Sequence, residues 1–201
     1  MVTADIARRE EGRVALALSE IADESRPFGG GIMARGVPGA WFNCAQGVGL
    51  AGPVAAEELD GMVRYFEEKR IEPRVEICPF VDATLIDGLA RLGFVLRRFE
   101  TVFYRSVAVA ENFAPPYPAV AGLTIEVVDK DDAAGADEFA RVCLSGFLPD
   151  GVEPSPDLLE SAARVVRHER TVAIRAMIDG RCVGAGAMEF HEDLTALYGV
   201  S

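Results

Sequence analysis

Residues 171–186 read TVAIRAMIDGRCVGAG. Thr171 to Ile178 alternates in the two-residue period of a strand, and Asp179-Gly180 is a pair that tolerates the positive φ angles of a tight hairpin turn. Arg181 to His191 returns as the partner strand, and a second turn at Glu192-Asp193 leads into Leu194 to Ser201. Three antiparallel strands follow from this spacing alone. Toward the N-terminus, Ser155-Pro156 is a helix start, with serine as the cap and proline at the first helical position. Leu158, Leu159, Ala162, Val165 and Val166 give that helix an inward face, and it ends near His168. An earlier helix, capped by Asp131 or Asp132, presents Phe139, Val142, Cys143 and Phe147, and Leu123 to Val128 before it reads as a strand. The order is strand, two helices, then a three-stranded meander.

Pro115, Pro116 and Pro118 crowd into Asn112 to Gly122, where neither a regular helix nor a central strand is possible. That stretch is read as a linker (112–122) between segments 1–111 and 123–201. The first segment opens with a helix from about Asp5 to Glu24, closed by Arg26-Pro27 and the run Gly29, Gly30, Gly31. Gly31 to Arg35 and Ala40 to Leu50 read as a hairpin around Val37-Pro38-Gly39. Pro53 starts a helix carrying Leu59, Met62, Val63 and Phe66 on one stripe and ending near Lys69. Arg74 to Cys78 reads as a short strand. Asp82 caps a helix with Leu85, Ile86, Leu89 and Leu92 on its apolar face, and Gly93 stops it. The β-branched and aromatic residues of Phe94 to Val107 read as one or two strands.

The chain has 201 residues, half of them apolar, enough for one large domain or two small ones. A formal net charge of −12 argues against nucleic acid and against anionic membranes, since both require clustered Lys and Arg. A cationic or neutral substrate fits the charge, and so does solubility alone. No apolar run approaches the roughly 20 residues that span a bilayer. Arg8, Arg9, Glu10 and Glu11 precede any apolar stretch, which is unlike a signal peptide and points to the cytoplasm. Cys44, Cys78, Cys143 and Cys182 lack metal-ligand spacing and read as reduced thiols, so no metal is expected.

The second segment resembles the beginning of the GNAT family of N-acyltransferases. The turn of Ile178-Asp179-Gly180-Arg181-Cys182-Val183-Gly184 is similar to the one joining that family's second and third strands, and Leu197-Tyr198-Gly199-Val200-Ser201 resembles the fourth. In the first segment the helix after Pro53, the strand at Arg74, the helix after Asp82 and the Leu92-Gly93-Phe94 ending are similar to the family's later elements, with Arg97-Arg98-Phe99-Glu100 resembling its closing strands. The resemblance implies an α/β (α+β) fold: a mixed, mainly antiparallel sheet flanked by helices, in two copies, the first divergent and the second incomplete after its fourth strand.

The same resemblance implies acetyl-CoA as co-substrate and a small-molecule or peptide amine as acceptor, with direct transfer and no covalent enzyme intermediate. It implies that Leu197, Tyr198, Gly199 and Val200 line the pantetheine arm; read from the residues alone, they are equally ordinary strand positions. The family's pyrophosphate loop would follow Ser201, so an incomplete form with doubtful activity is expected. Gln46-Gly47-Val48-Gly49-Leu50-Ala51 matches the loop's spacing, but Gly52-Pro53 interrupts the passage into a helix, and a glycine-rich strand end is the competing reading. Glu189 and His191, two apart on one strand face, are candidates to accept a proton from an ammonium substrate, or else belong to a solvated turn. His168, at a helix C-terminus, reads as structural. Two further readings stand beside catalysis: a non-catalytic binding or dimerisation module joined through an exposed sheet edge, and mutual completion of the segments by pairing Thr195–Ser201 beside Arg74–Cys78.

Overall fold

In the computed structural model, which describes residues 3–112, 114 and 117–201, the Thr3 hydroxyl accepts the Ile6 N–H and starts helix α1 (Ala4–Ile21). Ala15, Leu18 and Ile21 are buried along one stripe. The helix ends three residues before the expected Glu24, because Glu24–Phe28 is strand β1, which pairs antiparallel with β2 (Gly31–Arg35). Gly29 and Gly30 have φ of +55° and +84°, the left-handed pair of a two-residue hairpin turn. The glycine run is therefore a turn between strands and not a helix stop. Pro27 is tolerated because β1 lies at the sheet edge.

The expected hairpin after Gly31 is present, but its second strand β3 (Cys44–Gln46) has three residues where Ala40 to Leu50 was expected. Asn43 explains the difference. Its side chain accepts the Gly36 N–H and donates to the Val37 carbonyl, both at 2.7 Å, so the preceding residues satisfy their polar groups as a loop. Helix α2 (Ala56–Glu67) begins after Pro53 and not at it; the Glu58 carboxylate accepts the Ala55 N–H at 3.1 Å, and Leu59, Met62 and Phe66 are buried. Arg74 to Cys78 is not a strand. It contributes one parallel bridge, Ala45 to Val75. Asp82 caps helix α3 (Ala83–Arg91), which buries Leu85 and Leu89 and leaves Ile86 and Leu92 exposed. Gly93 follows with φ +79°. No described residue of 94–107 lies in a strand, and Phe99 and Phe103 are 85% and 92% exposed. Alternation supplies strand propensity, but a ladder needs a partner edge.

Of the linker expected over 112–122, Phe113, Pro115 and Pro116 lie outside the described residues. Beyond it, β4 (Leu123–Val127) leads to α4 (Ala133–Ser145), capped by Asp132, and α5 (Pro156–Arg167), capped by Ser155. Strands β5 (Thr171–Ile178), β6 (Arg181–His191) and β7 (Leu194–Tyr198) complete an antiparallel sheet in the order β4-β5-β6-β7. Asp179 and Gly180 have φ of +49° and +76° in the turn that residues 171–186 called for. One face of this sheet is covered: Phe139 and Ala140 of α4 and Ala162 and Val166 of α5 pack on Ala173, Ala185 and Ala187. The other face carries Ile125, Val127, Phe190 and Leu197, all exposed. Among the described residues β7 pairs with β6 and not with the Arg74–Cys78 stretch, which overturns the expected pairing of Thr195–Ser201 there. The structure is thus mixed α/β with antiparallel sheets flanked by helices. Among the described residues no helix is long and apolar enough to cross a membrane.

Candidate active site

The end of β7 is irregular in a specific way. Tyr198 pairs with Ala187, and Ser201 exchanges both backbone hydrogen bonds with Ala185 at 3.0 Å. Gly199 and Val200 therefore stand opposite the single residue Gly186, a β-bulge that takes two residues out of the ladder. Gly199 has φ +60°, which an L side chain rarely adopts. The C-terminal end of α4 holds the bulge: the Cys143 thiol donates to the Gly199 carbonyl at 3.3 Å, and the Ser201 hydroxyl donates to the Cys143 carbonyl at 2.8 Å. Burial pushes the Cys143 thiol up to about 11, so it stays protonated as a donor. Leu197 and Val200 are 73% and 70% exposed. Tyr198 points to the helix-covered face.

Beneath that face a charged network joins α1 to the second segment. The Arg13 guanidinium donates to Glu10 at 2.8 and 2.6 Å and to Glu189, whose side chain is buried. Burial draws the Arg13 pKa down, the carboxylates of Glu10 and Glu189 push it up, and the carboxylates win. The second Glu189 oxygen lies 3.1 Å from Arg170 without hydrogen-bond alignment. Arg170 donates to Glu20 at 2.5 Å and sits 3.2 Å from Nδ1 of His191. Arg9 pairs with Asp193, and Arg164 donates to Asp23 at 2.6 Å and to the Ile21 carbonyl at 3.0 Å. Helix α1 and the residues after it are thus tied by opposite charges to α5, to β6 and to the turn between β6 and β7.

Glu189 and His191 do share a face, as their spacing requires, and Arg170 touches both. The setting is not a solvated turn. Glu189 is 1% exposed and faces two guanidinium groups, so a substrate ammonium would have to displace one of them. His168 caps the C-terminus of α5 as expected, and its ring is held by Glu20 and Thr171 at 2.7 and 2.9 Å. Sequence spacing does not mark Arg13, Glu20, Thr171 and Arg170, because the contacts Arg13–Glu189, Glu20–His168, Glu20–Arg170 and Thr171–Tyr198 join distant positions; Arg13 among the buried residues of α1 is the available signal. The Gln46–Ala51 run closes β3 and turns: Gly47 and Gly49 have φ of +71° and +73°, the Gly49 N–H donates to the Gly29 carbonyl at 2.8 Å, and α2 starts only at Ala56. Its amides do not meet at a helix N-terminus.

The network has a consequence for acid stability. Burial raises the Glu20 pKa, but the hydrogen bonds from Arg170 and His168 outweigh it and hold the carboxyl below its ordinary 4.5. A depressed folded value means that Glu20 contributes stability above the unfolded value, and that this contribution is lost as the pH falls through the folded one. Glu20 is exposed at its outer side, so solvent screening keeps the effect small. Urea midpoints measured from about pH 6 down to about pH 3 should fall less steeply in Glu20→Gln than in the wild type.

No protein-family model matches this chain, and no curated protein matches it in sequence. In structure the chain is similar to a GCN5-related N-acetyltransferase from Kribbella flavida, with a TM-score of 0.57 and 17% sequence identity over 95% of this chain and 72% of that one. The likeness establishes a GNAT-like fold, and at that coverage it extends over both segments.

Proposed function

We propose that the chain is an acyl-CoA-dependent N-acyltransferase module that passes an acetyl group from acetyl-CoA to the primary amine of a small molecule or peptide. The observation that carries this reading is the bulge at Gly199–Val200, next to the free edge of β7, in a fold like that of a known N-acetyltransferase. A bulge there turns backbone N–H groups out of the ladder, where one can hydrogen-bond the thioester oxygen as negative charge develops on it. Leu197, Tyr198, Gly199 and Val200 then line the pantetheine arm, with Leu197 and Val200 supplying exposed apolar surface. Glu189 and His191 belong to the acid–base set in this reading, Glu189 indirectly: it anchors Arg170, which contacts His191. Segments 1–111 and 123–201 are read as a divergent copy and a second copy of the fold.

Calorimetric titration tests the reading. Acetyl-CoA and acetyl-pantetheine should both bind, with similar affinity, because the Gln46–Ala51 run turns before α2 and does not gather its amides at a helix N-terminus. Gly199→Val should weaken both by about tenfold or more: the left-handed conformation costs an L residue roughly 1–2 kcal/mol, which favours flattening the bulge. A Cβ there would also sit 3.2 Å from the Cys143 sulfur. If neither ligand binds and the chain sediments as a dimer, the competing reading holds, a non-catalytic module that associates through the open β7 edge and the exposed face of Ile125, Val127 and Leu197.

A further inference from the structure

A line of hydrogen bonds runs through the protein from the half-buried Tyr198 to the exposed Glu20. Tyr198 Oη lies 3.1 Å from Thr171 Oγ1, which lies 2.9 Å from Nδ1 of His168, whose Nε2 lies 2.7 Å from the Glu20 carboxylate. Thr171 and His168 are buried, whereas Glu20 reaches solvent and Tyr198 is half-exposed beside the bulge. An ionised carboxylate only accepts, so the neutral His168 ring must carry its proton on Nε2 and offer Nδ1 as an acceptor. Thr171 then donates to Nδ1 and is free to accept, and Tyr198 donates to Thr171. All three bonds point the same way, from Tyr198 to Glu20.

We propose that Glu20, His168 and Thr171 are a positioning relay behind Tyr198, fixing its hydroxyl on the helix-covered face and carrying a proton from it to the surface at helix α1. The proposal rests on the acyl-transfer reading above. An ammonium substrate that reaches the half-buried Tyr198 gives its N–H proton to Oη. The tyrosine's own proton passes to Thr171 Oγ1, and the threonine's passes to Nδ1 of His168. The amine keeps the electron pair of its broken N–H bond and becomes the nucleophile. The imidazolium so formed is held by Glu20, and its Nε2 proton leaves to water there. Other charged groups face this line. Arg170 shares Glu20, the Lys130 ammonium donates to the His168 carbonyl at 3.0 Å, and Glu189, Arg13 and the Cys143 thiol surround Tyr198. Burial raises the Tyr198 pKa, so the hydroxyl is un-ionised and has a proton to pass on. The N-terminal helix thereby contributes a residue to a site on the second segment's sheet.

The chain has two histidines, and His168→Gln shows which nitrogen-15 NMR signals belong to His168. The expected spectrum of neutral His168 is the Nε2–H tautomer, with Nδ1 shifted by an accepted hydrogen bond. Thr171→Val, nearly isosteric, should abolish that shift and change the pH at which Tyr198 ionises, read by ultraviolet titration against Tyr198→Phe. An Nδ1–H tautomer overturns the relay, and so does a Tyr198 titration unchanged in Thr171→Val. Neither measurement needs an acyl donor. A relay of the expected polarity in a chain that binds no acetyl-CoA overturns the acyl-transfer reading and the relay's use in it, whereas acetyl-CoA binding with the wrong tautomer overturns the relay alone. In turnover, Thr171→Val should lower kcat on the order of a hundredfold while KM stays unchanged; a purely structural threonine would leave kcat in place.

Discussion

Arg13→Met should destabilise the protein by about 3 kcal/mol or more, and the double replacement Arg13→Met/Glu189→Leu should recover much of that loss. Arg13 and Glu189 face each other with both side chains almost fully out of water. Removing the arginine leaves a carboxylate whose other cation among the described residues is Arg170, 3.1 Å away and poorly aligned for a hydrogen bond. The cost comes from that stranded charge more than from the lost attraction, which is why removing both groups together is milder. Urea denaturation of the wild type, both single replacements and the double replacement closes the cycle. A single replacement costing under about 1 kcal/mol would mean that α1 does not sit on β6 as described.

Gly31→Ala should be comparably damaging for a different reason. A Cβ at this position would run into the Gln46 carbonyl oxygen and come within 2.6 Å of the Gly47 carbonyl carbon. Those are backbone atoms, so no rotamer change relieves the clash, and the β2–β3 ladder must open. Overpacking costs typically 1–3 kcal/mol, and a clash against backbone belongs at about 3 kcal/mol or above. The φ angle of Gly31 is not in the left-handed region, unlike Gly29 and Gly30, so the effect is close approach and not backbone strain. The thermal midpoint of Gly31→Ala against Gly12→Ala, where an added Cβ meets nothing within 4 Å, measures it. Equal midpoints would rule out the tight β2–β3 approach.

Much of the second segment was legible because its signals are local. Asp179-Gly180 suits a left-handed turn between two strands, and Ser155 and Asp132 cap helices by bonding to N–H groups two or three residues away, as Asp82 does in the first segment. The errors fall where a neighbour had to be known. Glu24–Phe28 carries a proline and charges that favour no strand, and it is one only because β2 offers an edge. Phe94 to Val107 has the better strand pattern and forms none among the described residues. The candidate site divides in the same way: Leu197 to Val200 were found by their likeness to a family strand, whereas the bulge that sets Gly199 apart appears only when Tyr198 and Ser201 are seen paired to Ala187 and Ala185.

The amino-acid sequence by itself determined the meander, the caps, the apolar stripes of the helices and the likeness to an acyltransferase fold. Each depends on residues within a few positions of one another, where backbone sterics and side-chain hydrogen bonds act without help. Only the tertiary structure decided that Glu189 is buried between two arginines, that Glu20 reaches His168 across 148 positions, and that Tyr198 ends a line of hydrogen bonds. Charges and hydroxyls carry no periodicity that names their partners. Burial decides for them, because a polar group removed from water must find a partner wherever the packing of α1 against the second sheet has put one.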